Sequence, residues 1–154
     1  MTPDPSDFAC LVAKAHAQAA APLPGAAFCA LADHLLGLLF PERAARALGS
    51  ADAVAAELYH FNADLAALLA LVPHLPAPAA TLAAEFTALL PVLREALIRD
   101  ATAILASDPA ADDRAVVISS YPGFYATALY RLAHALHRRG VPRLPRLLSE
   151  HAHG

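Results

Sequence analysis

The sequence of 154 residues contains no tryptophan, one methionine and two cysteines, and only 16% of its residues are charged. A hydrophobic share of 58% excludes a disordered chain, because disordered segments combine low hydrophobicity with high net charge. Apolar runs of the ~20 residues that a membrane-spanning helix needs are also absent. Charged or polar side chains interrupt the richest stretches: Asp33, His34, Glu57, Asp64 and Glu85. The alanine-rich composition therefore predicts one compact helical domain over residues 1–154, with no membrane partner.

Positive charge is scarce as well. The net charge is −3 and the isoelectric point is near 6.2, and Lys14 is the only lysine. This balance gives no basic surface for nucleic acid, so we predict no nucleic-acid partner. The first residues carry no positively charged segment of the kind that begins a secretion signal. We therefore expect a cytoplasmic protein.

Cysteine offers two interpretations. Cys10 and Cys29 could form a disulfide or remain as two buried thiols. Free cysteines in alanine-rich helical chains behave as small hydrophobic residues, so we expect buried thiols.

Thirteen prolines separate stretches in which apolar residues recur at helical spacing. Ser6 or Asp7 is placed to cap the first helix and Ser50 a later one, and Pro91 should kink or split a long helix. No stretch alternates as a strand does. We therefore predict an all-α helical bundle of seven or eight helices, the main ones spanning about 6–20, 26–40, 41–49, 51–72, 79–107, 122–139 and 142–154.

Eight histidines raise the question of a metal site. The pairs His134–His137 and His151–His153 would need a carboxylate or a third imidazole to complete a site, and no ligand has diagnostic spacing. We predict surface or core histidines and no metal. Serine and cysteine nucleophile patterns and glycine-rich phosphate loops are also missing, so we predict no catalytic residue and no cofactor site in this chain.

An acidic cluster follows the long helix at Asp108, Asp112 and Asp113. Carboxylates at a helix break can bind the ammonium or hydroxyl groups of a ligand, or they can cap the short helix that follows. The residue pattern by itself favours capping.

Longer motifs in the same region resemble those of serine O-acetyltransferases. Asp108-Pro109-Ala110-Ala111 matches that family's DPAA element, and Tyr121-Pro122-Gly123-Phe124 matches its YPG turn. Tyr130-Arg131-Leu132-Ala133-His134 is similar to its YR(I/L)(A/G)H signature. The continuation from Gly140 to His153 resembles the longer bacterial type. The resemblance is strongest over 108–154 and weaker upstream, at residues 38–41 and 89–94.

This resemblance implies that the chain is the N-terminal helical region of such an enzyme. The complete enzymes transfer acetyl from acetyl-CoA, a co-substrate, to L-serine and give O-acetylserine for cysteine synthesis. Their catalytic histidine lies on a left-handed β-helix of hexapeptide repeats, and this sequence ends at Gly154, where that half would begin. None of the histidines here matches the catalytic one. We therefore expect the chain alone to be inactive.

The family's pattern also assigns residues and partners. Asp108 corresponds to the aspartate that helps to bind the substrate serine, whereas Arg131 and His134, on one helix face, are interpreted as structural. The family's helical region assembles oligomers, so a homo-oligomer is expected, and O-acetylserine sulfhydrylase is a candidate partner. The alternative is a stand-alone helical oligomerisation or interaction module without catalysis.

Overall fold

A computed structural model describes residues 4–19 and 23–152. These residues form eight α-helices and no strand, which confirms the predicted all-α fold and leaves no β-helix within the described ranges. No helix in that part of the chain is long and apolar enough to cross a membrane. The helices are α1 (Pro5–Gln18), α2 (Gly25–Leu39), α3 (Ala51–Leu69), α4 (Ala79–Ala88), α5 (Leu90–Ser107), α6 (Arg114–Ser120), α7 (Pro122–His137) and α8 (Leu144–His151).

Helix α7 lies at the centre of the bundle. It packs against α2, α5, α6 and α8, while α3 packs against α2 and α4. The apolar residues at helical spacing in α7 are buried: Phe124, Leu129, Leu132 and Leu136. The ring of Phe124 meets that of Phe40 edge to face, with centroids 5.6 Å apart. This apolar centre fixes the positions of the helices around it.

Local signals set most helix ends. Ser50 caps α3 by accepting a hydrogen bond from the N–H of Ala53 at 3.1 Å, as predicted. Gly140 follows α7 with a φ of +72°, a left-handed conformation that glycine adopts without strain. The N–H groups of Gly140 and Val141 then donate to the carbonyls of His137 and Leu136. The long helix predicted over 79–107 is split in two, and Pro91 lies in the first turn of the second part.

The first helix is capped two or three residues earlier than predicted. Asp4, rather than Ser6 or Asp7, accepts the capping hydrogen bond, from the N–H of Ser6 at 3.0 Å. The reason is that Pro5 fits the first helical position, where its missing N–H costs nothing. The helix ends at Gln18, and the predicted end near Ala20 lies outside the described residues.

The helix predicted over 41–49 is wrong. Only one 3₁₀ turn forms, at Pro41–Arg43, and Ala44 is already extended. No residue of 44–49 is buried, so a helix there would have no apolar face to pack, and short helices are marginal without packing. The prediction of two buried thiols is also wrong: both cysteines are free, and Cys10 is exposed while Cys29 is half-buried.

Candidate functional site

Asp108 ends α5 and begins the loop that leads to α6. Its backbone is extended, with φ −115° and ψ 106°, because the residue before a proline is biased away from helical geometry. One carboxylate oxygen, Oδ1, accepts a hydrogen bond from the backbone N–H of Ala110 at 2.9 Å. This turn holds the half-buried side chain in a fixed position relative to the loop.

Capping falls to another member of the acidic cluster. Oδ1 of Asp113 accepts a hydrogen bond from the N–H of Val116 at 2.8 Å, at the start of α6. The two interpretations of the cluster therefore apply to different residues: Asp113 caps the helix, and Asp108 does not. Ligand binding by Asp108 remains a prediction.

Tyr121, the first residue of the YPG motif, lies near the same loop. The carboxylate of Asp108 is the main cause that raises the pKa of the Tyr121 phenol, and partial loss of solvent and the charge of Asp112 raise it further. Tyr121 directly precedes α7, and the influence of Asp108 on its pKa means that the DPA element lies near the start of α7. The loop thus contains an anchored carboxylate with a phenol beside it.

An ion pair fixes the two helices from which this loop extends. The guanidinium of Arg131 on α7 donates to both carboxylate oxygens of Asp100 on α5, with Nη2 2.7 Å from Oδ1. The hydrogen bond to Asp100 raises the pKa of Arg131. Asp100 lies two turns before the loop, so this two-pronged contact holds α5 against α7. Arg131 therefore has the structural role that was predicted for it, since it joins two neighbouring helices.

His134 lies away from the loop. Its exposed ring stacks on that of Tyr130, with centroids 6.0 Å apart and an interplanar angle of 18°. Over residues 4–19 and 23–152, no three histidine, cysteine or carboxylate side chains are grouped as they would be around a metal. His153, the fourth histidine considered for such a site, lies outside these ranges.

A second polar cluster, absent from the sequence predictions, joins α2, α7 and α8. The hydroxyl of Tyr125 donates to Oδ1 of Asp33 at 2.7 Å. Nε2 of His151 lies 3.1 Å from that hydroxyl and 3.2 Å from Oδ2 of Asp33. Since the phenol proton is already donated to Asp33, Nε2 must carry a hydrogen and act as donor. Burial and the contact with Asp33 raise the pKa of Tyr125.

No local pattern could have indicated this cluster. Asp33 and Tyr125 are 92 positions apart in the chain, and Tyr125 and His151 are 26 apart. Arg43 completes the surroundings, with its guanidinium 4.9 Å from the centre of the Tyr125 ring. The cluster fixes α8, the last described helix, to the helix that begins beside the Asp108 loop.

An all-α domain with an anchored carboxylate loop is thus the class that the fold and the site define. No family model matches the chain. It is similar to the plasmid serine acetyltransferase of Synechococcus elongatus, with 36% identity over 75 residues, which are 49% of this chain and 24% of that protein. It is also similar to the serine acetyltransferase of Helicobacter pylori, with 47% identity over 47 residues, 30% of this chain and 28% of that protein.

The serine acetyltransferase of Synechocystis sp. is 42% identical over 53 residues, 34% of this chain and 21% of that protein. These matches confirm the resemblance to serine acetyltransferases and support a related function. The matched stretches span about a quarter of the length of each of these relatives.

Proposed function

We propose that this chain is the N-terminal helical part of a serine O-acetyltransferase, and that it supplies part of the serine site and contacts for oligomer assembly. The observation that carries the proposal is the position of Asp108: its carboxylate is anchored by Ala110, while capping falls to Asp113. In the complete reaction the serine hydroxyl oxygen bonds to the acetyl carbon, the thioester C–S bond breaks, and the hydroxyl proton ends on the CoA thiol.

The chemistry of Asp108 suits the amino group of serine. A carboxylate that accepts a charge-assisted N–H···O bond from an ammonium gives a stronger contact than a neutral acceptor. Oδ1 is already in use within the loop, which limits the side chain to one orientation and lowers the entropy cost of binding. We assign the proton-accepting base, which is typically worth about 10²–10⁴-fold in rate, and the acetyl-CoA groove to residues outside this helical region.

The test is an L-serine titration of the full chain, followed by NMR through the backbone amides of Ala110 and Ala111. We expect weak, saturable shifts in the unmodified chain and their loss in Asp108→Asn. Asp112→Asn is the matched control, since it removes one negative charge from an exposed position of the same loop. Equal shifts in Asp108→Asn would contradict the serine site, and acetyl transfer by this chain alone would contradict the assignment of the base elsewhere.

Assembly is assigned to α1. Phe8 and Leu11 are 62% and 65% exposed, and with Val12 they form one face of this helix. Asp7 and Lys14 are two helical turns apart and flank the same side of that face. When two copies of α1 pack antiparallel, Asp7 of each copy faces Lys14 of the other. This charge complementarity favours a second copy of the chain as the partner.

The charge pattern gives a sharp test by sedimentation. We expect Lys14→Asp to weaken self-association and Asp7→Lys combined with Lys14→Asp to restore it, because the exchange recreates both ion pairs. Tyr59→Ser, which removes a 73% exposed aromatic ring from α3, is the control and should leave association unchanged. A monomer at all concentrations, or no restoration in the double variant, would contradict this assembly mode.

The alternative function is a stand-alone helical interaction module without catalysis. The exposed face of α1 supports this module as much as it supports the N-terminal part of an enzyme, because both functions need a surface that binds a partner. The serine titration separates the two. A module of this kind would self-associate through α1 and would show no amide shifts at Ala110 with L-serine.

A further inference from the structure

The structure contains an open cavity of about 660 Å³ that is separate from the Asp108 loop. It lies between the second half of α2, the 3₁₀ turn at Pro41–Arg43 with its following loop, and the start of α3. Pockets that bind small molecules typically have volumes of about 300–1,000 Å³. The size therefore suits a small organic ligand.

Two arginines in the wall of this cavity lack an acidic partner in the described part of the chain. Nη1 of Arg43 donates to the carbonyls of Ile118 and Ser119 at 2.8 and 3.3 Å. Nε of Arg94 donates to the carbonyl of Leu39 at 3.0 Å. A guanidinium has five N–H donors, so both arginines keep donors for a ligand, and no carboxylate of the described residues lies within ion-pair distance of either one.

The other charged groups of the wall already have hydrogen-bond partners. Glu57 accepts a hydrogen bond from Arg46 at 3.2 Å and lies 3.5 Å from the ring of His34. Asp33 is bonded to Tyr125 and His151. Arg43, Arg46 and Arg94 outnumber Asp33 and Glu57 in the wall, so the wall carries a net positive charge, although the chain as a whole carries a net charge of −3.

Apolar side chains complete the cavity. Leu38, Leu48 and Val54 lie in its wall together with the two arginines. We propose that this cavity binds a small organic anion, with its carboxylate on Arg43 and Arg94 and a short branched aliphatic body against these three side chains. The site shares no residue with the Asp108 loop, so it does not depend on the proposed acetyltransferase function.

Three probe compounds test both halves of the proposal on the full chain by calorimetry. Isocaproate has the charge and the branched body, its amide keeps the body without the charge, and acetate keeps the charge without the body. We expect isocaproate to bind at least about tenfold more tightly than either, since one charge-assisted contact is worth about that factor. Equal binding of the amide, equal binding of acetate, or no binding of isocaproate overturns the proposal.

Two variants on one helix locate the site. Arg94→Gln should weaken isocaproate binding about tenfold or more, whereas Arg99→Gln should leave it unchanged. Both arginines are exposed on α5, and only Arg94 lines the cavity, so the pair separates a local contact from a general loss of positive charge. Equal weakening by both variants, or by neither, overturns the assignment to this cavity.

Discussion

Helices α1 and α7 start from similar local patterns and end in opposite environments. Each begins with a proline in its first turn and has apolar residues at helical spacing. Helix α7 buries seven side chains, whereas every side chain described on α1 is exposed. An amphipathic pattern thus predicts that a helix forms, but it does not say which surface will cover the apolar face.

Directed polar contacts add to this difference. Helix α7 is joined to α5 by Arg131 and Asp100, and to α2 and α8 through Tyr125. These contacts define the orientation of α7 as well as its burial. The capping hydrogen bond of α1, from Ser6 to Asp4, lies within its own first turn. The central helix is therefore fixed from several directions, and α1 presents a free face.

The largest expected effect comes from truncating one phenylalanine in each of these two helices. Phe124→Ala should lower the free energy of unfolding by about 3–5 kcal/mol, because Phe124 is fully buried and its removal leaves a cavity. Phe8→Ala should change it by less than about 0.5 kcal/mol in the monomer. Urea denaturation at low protein concentration measures both. Comparable losses would mean that α1 is packed against the bundle.

The two aspartate caps give a smaller and equally direct comparison. Asp113→Ala should cost about 1 kcal/mol of unfolding free energy, since α6 lies between α5 and the 3₁₀ turn. Asp4→Ala should leave the global transition in place and reduce only helicity, because α1 adds little to the core. Urea denaturation together with circular dichroism distinguishes the two outcomes. A global loss in Asp4→Ala would contradict the peripheral position of α1.

Alkaline pH tests the attachment of α7 to α2. The pKa of Tyr125 is raised in the folded chain, chiefly by burial and then by Asp33. A raised folded pKa stabilises the chain fully below the unfolded value near 10, and this stability is lost as the pH rises beyond that value. We expect Tyr125→Phe to make the unfolding free energy decline less steeply at alkaline pH. Tyr59→Phe, on the exposed face of α3, should leave that decline unchanged. An unchanged decline in Tyr125→Phe would contradict this role.

The smallest effect concerns the loop before α7. Asp108→Asn should lower the pKa of Tyr121 toward its ordinary value, because it removes the acceptor charge that stabilises the protonated phenol. Asp112→Asn should lower it less, since Asp112 acts only through its charge. Phenolate absorbance as a function of pH, compared with a Tyr121→Phe background, reports the shift. A larger effect from Asp112 would contradict Asp108 as the main cause of the raised pKa of Tyr121.

Where the sequence predictions succeeded, the deciding interactions were short-range. Ser50 and Pro91 act through hydrogen bonds or backbone restrictions within a few residues, so their effects can be read from neighbours along the chain. The helix expected over 41–49 does not form beyond Arg43, because residues 44–49 have no buried face to pack. A local sequence pattern does not show whether a segment will be packed. The acidic cluster was predicted as a group, but the division between Asp108 and Asp113 needed the geometry of the loop.

Local residue patterns specify that this protein is helical and where most of its helices begin and end, and its motifs resemble those of serine acetyltransferases. Which faces are covered and which distant groups meet depends on how the helices pack together. Asp33 reaches Tyr125 and His151, Arg131 reaches Asp100, and Arg43 and Arg94 line one cavity, each across many residues of chain. Contacts of this kind depend on how helices pack, and packing is a property of the whole core rather than of any one segment.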